Sequence, residues 1–187
     1  GRKQFNPLSP NEEAQLGLTE FEKLKRSKQV SRNPAYNAQV QRVGQRLAQV
    51  MPVPNAQWEF VVFEDPTPNA FALPGGKVGI HTGMFQITET DAGLAAVVGH
   101  EVGHVVARHS GERMAQGALT AGIAAVAGEA LRRNTDMGTA GQVATGAALG
   151  GAALLHVQRF SRNQELEADQ LGALYMARAG YDPRESV

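Results

Sequence analysis

The chain has 187 residues, no cysteine, and eighteen basic side chains against eighteen acidic ones. That length fits one domain with a core of its own, and the charge balance excludes the basic footprint of a nucleic-acid binder. Without cysteine there is neither a disulfide framework nor a thiolate metal site, so a bound metal would need histidine and carboxylate ligands.

The chain opens on polar sequence without the apolar stretch of a secretory leader, as a trimmed exported protein also would. Ser9-Pro10-Asn11-Glu12 then predicts a helix start, with Ser9 as cap and Glu12 completing a capping box, and the helix running to about Ser27. Asn33-Pro34 repeats the cap-then-proline signal. Tyr36, Val40, Val43, Leu47 and Val50 follow at spacings of four and three, one apolar helix face. Residues 58–63 are aromatic and β-branched and predict a strand. Residues 69–73 and 77–85 predict two more strands around a Pro74-Gly75-Gly76 turn. Residues 88–91 offer a cap for a helix over 92–109, two Ala/Gly-rich segments cover 114–132 and 138–157, and a last helix over 162–179 closes at Gly180. Helices flanking a small sheet give an α+β domain. Asp182-Pro183 reads as the start of a further helix that is cut off, so the expectation is a single domain, 1–187, shortened at its C-terminus.

The chemistry concentrates in His100-Glu101-Val102-Gly103-His104. On a helix, residues four apart differ by about 40° of rotation, so both imidazoles leave one face. Two neutral imidazoles suit a borderline-soft ion such as Zn²⁺. Glu101 lies about 100° from His100, within reach of a water beside the metal without ligating it. Leu94, Val97, Val98, Val102, Val105 and Val106 surround the trio, and polar groups in such company need a purpose. The plainer alternative is two satisfied core histidines.

A catalytic site needs a third protein ligand and an open fourth position. His109 falls five residues after His104, which turns it about 140° off the ligand face, the reading of a capping or surface histidine. His81 and His156 come without a second signal. Glu165 and Asp169 are four apart on one helix face, with Glu167 pointing roughly the opposite way. Glu165 can then ligate the metal, while Asp169 accepts the outer N–H of a ligating histidine and so fixes its tautomer. Alone the run would read as a solvated acidic face; paired with the two histidines it reads as part of a metal site.

His100-Glu101-x-x-His104, the later Glu165-x-x-x-Asp169 with Ser161-Arg162 before it, the run Asn69-Ala70-Phe71-Ala72-Leu73-Pro74-Gly75-Gly76, and Thr82-Gly83 together resemble peptidase family M48. The likeness spans nearly the whole chain and is strongest to the soluble bacterial periplasmic members. It implies a zincin-like fold, mainly helical, with a small sheet beside the His100–His104 helix. It implies one Zn²⁺ per chain on His100, His104 and Glu165, Glu101 as catalytic base, and Asp169 behind a ligand. It also implies a substrate cleft bordered by Asn69, Ala70 and Phe71, where a peptide would lie as an added strand. An ordinary hairpin turn is the alternative for residues 69–76.

The same resemblance implies an endopeptidase acting on unfolded or misassembled polypeptides, outer-membrane or envelope proteins among them. The expected compartment is the bacterial periplasm, with membrane association through an N-terminal lipid anchor. A latent protease and a non-hydrolytic zinc-binding chaperone module are the competing readings. Glu101 argues against the second, because a purely structural site has no use for a base. Residues 138–155 are long enough for a membrane span, but Thr139, Gln142 and Thr145 interrupt them, and close helix packing is the expected reading.

Overall fold

A computed structural model describes residues 8–110 and 160–186. The elements run α1 (Pro10–Ser27), α2 (Pro34–Ala48), β1 (Glu59–Phe63), β2 (Ala70–Leu73), β3 (Lys77–His81), a 3-10 helix (Thr82–Gln86), α3 (Asp91–Val106), α4 (Arg162–Arg178) and a second 3-10 helix (Pro183–Ser186). The mixed α+β class read from the sequence holds. The Ala/Gly-rich segments 114–132 and 138–157 lie outside the described residues. Among the described residues no helix is long and apolar enough to cross a membrane.

Local chemistry sets the helix ends. Ser9 and Glu12 form the expected capping box, and the Asn33 side chain accepts from the backbone N–H groups of Ala35 and Tyr36. α2 buries Val40, Val43 and Leu47, the predicted stripe; Val50 falls beyond its end. The predicted strand 77–85 is shorter. β3 stops at His81, where Thr82 Oγ1 donates to Asp65 O and accepts from Asp65 N, each at 3.0 Å. Gly83 presses against the Pro66 carbonyl, which a Cβ would approach to 2.1 Å, and the chain coils into the 3-10 turn instead.

The sheet has the order β1-β3-β2, with β1 parallel and β2 antiparallel to the central β3. Gly75 and Gly76, at φ +83° and +81°, supply the left-handed turn between β2 and β3 that a side chain would resist. All five residues of β3 are buried because both faces of the sheet are covered. One face carries Phe60, Val62, Ala70, Ala72, Val78 and Ile80 into the main core with α2, α3 and α4. On the other face Phe63 and Phe71 meet Phe21 of α1, ring centroids 6.0–6.4 Å apart.

α3 crosses the core between the sheet and α4. Thr90 Oγ1 caps it by accepting from Gly93 N at 3.0 Å. Arg42 forks onto Asp91 in its first turn at 2.6 and 2.7 Å, and that hydrogen-bonded guanidinium holds the Asp91 carboxyl below its ordinary range. α3 and α4 touch backbone to backbone. A Cβ on Gly103 would meet Ala168 O at 2.8 Å, and one on Gly172 would meet His100 N at 2.8 Å.

Gly172→Ala should therefore lower stability by about 1–2 kcal/mol, overpacking of about 1–3 kcal/mol outweighing the helix-propensity gain of about 0.5–1 kcal/mol. Urea unfolding measures it; a raised midpoint would show that the two helices can separate freely.

Candidate metal centre

His100 and His104 sit one turn apart in the C-terminal half of α3, facing the first two turns of α4. α4 starts there because Ser161 and Gln164 form a second capping box, which places Glu165 in the first turn and Asp169 one turn later. The two Nε2 atoms stand 3.2 Å apart. Glu165 Oε2 lies 3.4 Å from His100 Nε2, and Glu165 Oε1 lies 3.8 Å from His104 Nε2. Ligating atoms of these three residues all fall within 4.8 Å of one another.

The proton positions follow from the partners. Asp169 Oδ1 is 2.6 Å from His100 Nδ1, and a carboxylate accepts, so Nδ1 of His100 carries the hydrogen. Its Nε2 lone pair then points at His104 and Glu165. Two imidazole nitrogens and a carboxylate converging in this way are the donor set that a divalent metal takes.

His109 overturns its sequence reading. It is 0% exposed, not a surface residue, and its Nδ1 lies 3.0 Å from His104 Nδ1 while its Nε2 lies 3.0 Å from Glu167 Oε2. The helical-wheel argument failed because α3 ends at Val106. Arg108 adopts φ +58°, held by ion-paired hydrogen bonds to the buried Glu13 and by one to Leu8 O, and the chain turns back there. Glu167, expected to point away, is the carboxylate that meets His109. No local signal in the sequence marks either, since arginine has no special liking for the left-handed region. Phe160 covers the His104 ring, stacked at 3.7 Å between centroids.

A groove of about 640 Å³ opens beside the histidines, lined by Ile87, Thr90, Val97, His100, Glu101 and Asp169 among others. Glu101 thus faces the same space as His100. Asn69, Ala70 and Phe71 lie in and just before β2 and are not part of that lining. The Phe71 ring packs on the α1 side of the sheet, so only its backbone is placed to border a cleft. His81 is buried between Thr67, Asp65 and Lys28, well into the fold. His156 lies outside the described residues.

The sequence model of Peptidase family M48 matches residues 34–187. The mitochondrial metalloendopeptidase OMA1 of Schizosaccharomyces pombe is 34% identical over 185 residues, covering 97% of this chain and 52% of that protein. OMA1 of Arabidopsis thaliana is 40% identical over 127 residues, 68% of this chain and 24% of the relative. The beta-barrel assembly-enhancing protease of Escherichia coli K12 is 27% identical over 184 residues, 98% of this chain and 38% of the relative. The chain belongs to peptidase family M48, and these relatives are named as metalloendopeptidase or protease. It spans about half, or less, of the length of these curated relatives.

Removing Glu165 or Asp169 should separate their roles. Asp169→Ala should weaken metal binding by about 10–100-fold, the usual loss for an outer partner, and Glu165→Ala by more. Zinc uptake in competition with a chromophoric chelator measures both; equal affinity in Glu165→Ala and wild type would move the third ligand elsewhere.

Proposed function

We propose that this chain is a zinc endopeptidase domain of zincin-like type, 1–187, that hydrolyses peptide bonds of unfolded or misassembled proteins. The observation that carries the reading is the convergence of His100 Nε2, His104 Nε2 and the Glu165 carboxylate at the side of a groove that Glu101 also lines. Ligand atoms around a tetrahedral zinc with bonds of about 2.0–2.1 Å stand about 3.3–3.4 Å apart. The Nε2–Nε2 distance of 3.2 Å and the His100 Nε2–Glu165 Oε2 distance of 3.4 Å agree with that spacing, and the His104 Nε2–Glu165 Oε1 distance of 3.8 Å is longer than it.

A Zn²⁺ ion bound there would acidify a water and polarise the scissile carbonyl. The remaining work belongs to the side chains. His100, His104 and Glu165 would hold the ion beside the groove that His100 and Glu101 line, where water and substrate can enter. Asp169 holds His100 in the tautomer that presents Nε2. Glu101 accepts the water proton as attack on the carbonyl begins and returns it to the leaving amine, a transfer typical of a carboxylate general base. A bare structural site would have no need of Glu101.

The peptide itself would run along β2. Among the described residues β2 is an edge strand with α3 packed beside it, and an edge offers backbone N–H and C=O groups to an extended chain. Asn69, Ala70 and Phe71 would serve through their backbone. Recognition through backbone groups suits substrates that are unfolded, because only an extended segment can add as a strand. The relatives named for beta-barrel assembly support substrates among outer-membrane and envelope proteins and a periplasmic home, while the OMA1 relatives are named as mitochondrial.

Glu101→Gln should keep zinc at wild-type stoichiometry and lose casein cleavage by about 10²–10⁴-fold, the range for a lost general base. Metal analysis beside a cleavage assay checks both halves. Zinc lost from the variant would make Glu101 a ligand; zinc in both proteins with cleavage in neither would favour a latent or non-hydrolytic module.

A further inference from the structure

The two histidines of the centre are oriented by different devices. His100, at the groove, donates directly to Asp169. His104 is 2% exposed, and its Nδ1 meets a second imidazole rather than a carboxylate. That imidazole, His109, is fully buried and carries the contact outward to Glu167, whose side chain is 49% exposed.

We propose that His109 and Glu167 form a relay that positions His104: Glu167 fixes the tautomer of His109, and His109 fixes that of His104. The direction of the chain is forced at its outer end. The Glu167 carboxylate accepts, so His109 Nε2 carries the hydrogen at 3.0 Å. A neutral imidazole with a hydrogen on Nε2 has its lone pair on Nδ1, so His109 Nδ1 accepts. The hydrogen in the 3.0 Å Nδ1–Nδ1 contact therefore belongs to His104. His104 Nε2 is left with the lone pair that faces His100 Nε2 and Glu165. One carboxylate at the surface thereby determines which nitrogen a buried ring presents to the metal site.

The spacer has a physical reason. A carboxylate set directly against Nδ1 of His104 would have to shed its water, which costs several times more than burying a neutral ring that is hydrogen-bonded at both ends. With His109 between them, Glu167 keeps half its side chain in solvent. Two further features hold the spacer in place. Phe160 lies over His104 and within 6.0 Å of His109, and the Arg108 turn, pinned by Glu13, brings His109 back beneath the end of α3. Neither His109 nor Glu167 touches the groove, so both are positioning residues.

The relay rests on His104 being a metal ligand, and the test separates the two ideas. Zinc affinity of the full chain is measured by chelator competition for wild type, Glu167→Ala and Glu167→Gln. Long-range ¹H–¹⁵N spectra of the imidazoles report the tautomers. Glu167 is the residue to change because it is half-exposed on a helix and alanine leaves that helix intact. Glu167→Ala should weaken zinc binding by about 10–100-fold, as loss of an outer partner does. Glu167→Gln should stay close to wild type, since its amide oxygen accepts the same bond. The wild-type spectrum should show His109 protonated on Nε2 and His104 on Nδ1. Tight zinc binding in wild type with no loss in Glu167→Ala, or a hydrogen on His109 Nδ1, would overturn the relay. Failure of wild type to bind zinc would instead overturn the metal-site reading beneath it.

Discussion

Backbone contact between α3 and α4 is the constraint on which the rest depends. Gly103 and Gly172 allow it, each lying where a Cβ would press within 2.8 Å of the opposite helix. Helices that carry large side chains at their crossing stand 8–10 Å apart. Glycine at the crossing removes the side-chain layer, and short carboxylates on α4 can then reach imidazoles on α3. Glu165 and Asp169 both reach His100, and Glu165 also reaches His104, across this seam. The sheet and α2 contribute from behind by filling the core against Leu94, Val98 and Val102, which fixes the rotation of α3 about its axis.

The polar groups at this seam are arranged by how deep they lie. His100 borders the groove and takes a carboxylate partner directly. His104 lies under Phe160 and takes an imidazole partner, with the carboxylate displaced to the surface. Burial thus decides what kind of group can stand behind each histidine, because a charge is costly away from water and a hydrogen-bonded neutral ring is not. In the proposed relay both arrangements deliver a lone pair on Nε2. Matching tautomers on two rings four residues apart are what a shared metal requires, and a pair of satisfied core histidines would have no need of them.

Much of this was legible in the sequence, and what was legible was local. Ser9 with Glu12, Asn33 before Pro34, and the stripe of Val40, Val43 and Leu47 announced their helices through capping and spacing. His100 and His104 announced a shared face in the same way, and the family model matches residues 34–187. The misread positions are those where distant contacts decide. β3 gives way at His81 because of Asp65 and Pro66, more than a dozen residues earlier. His109 is buried because Arg108 is turned by Glu13, from the far end of the chain. A helical wheel has no access to such contacts, so His109 read as a capping or surface histidine and Glu167 only as pointing away from Glu165 and Asp169.

The central claim, that His100, His104 and Glu165 hold one zinc, is tested most directly by X-ray absorption spectroscopy of the zinc-loaded chain. The account predicts a shell of N and O atoms at about 2.0–2.1 Å with the multiple-scattering signature of two imidazoles. A shell with no imidazole scattering, or a fit requiring a third or fourth histidine, would contradict it.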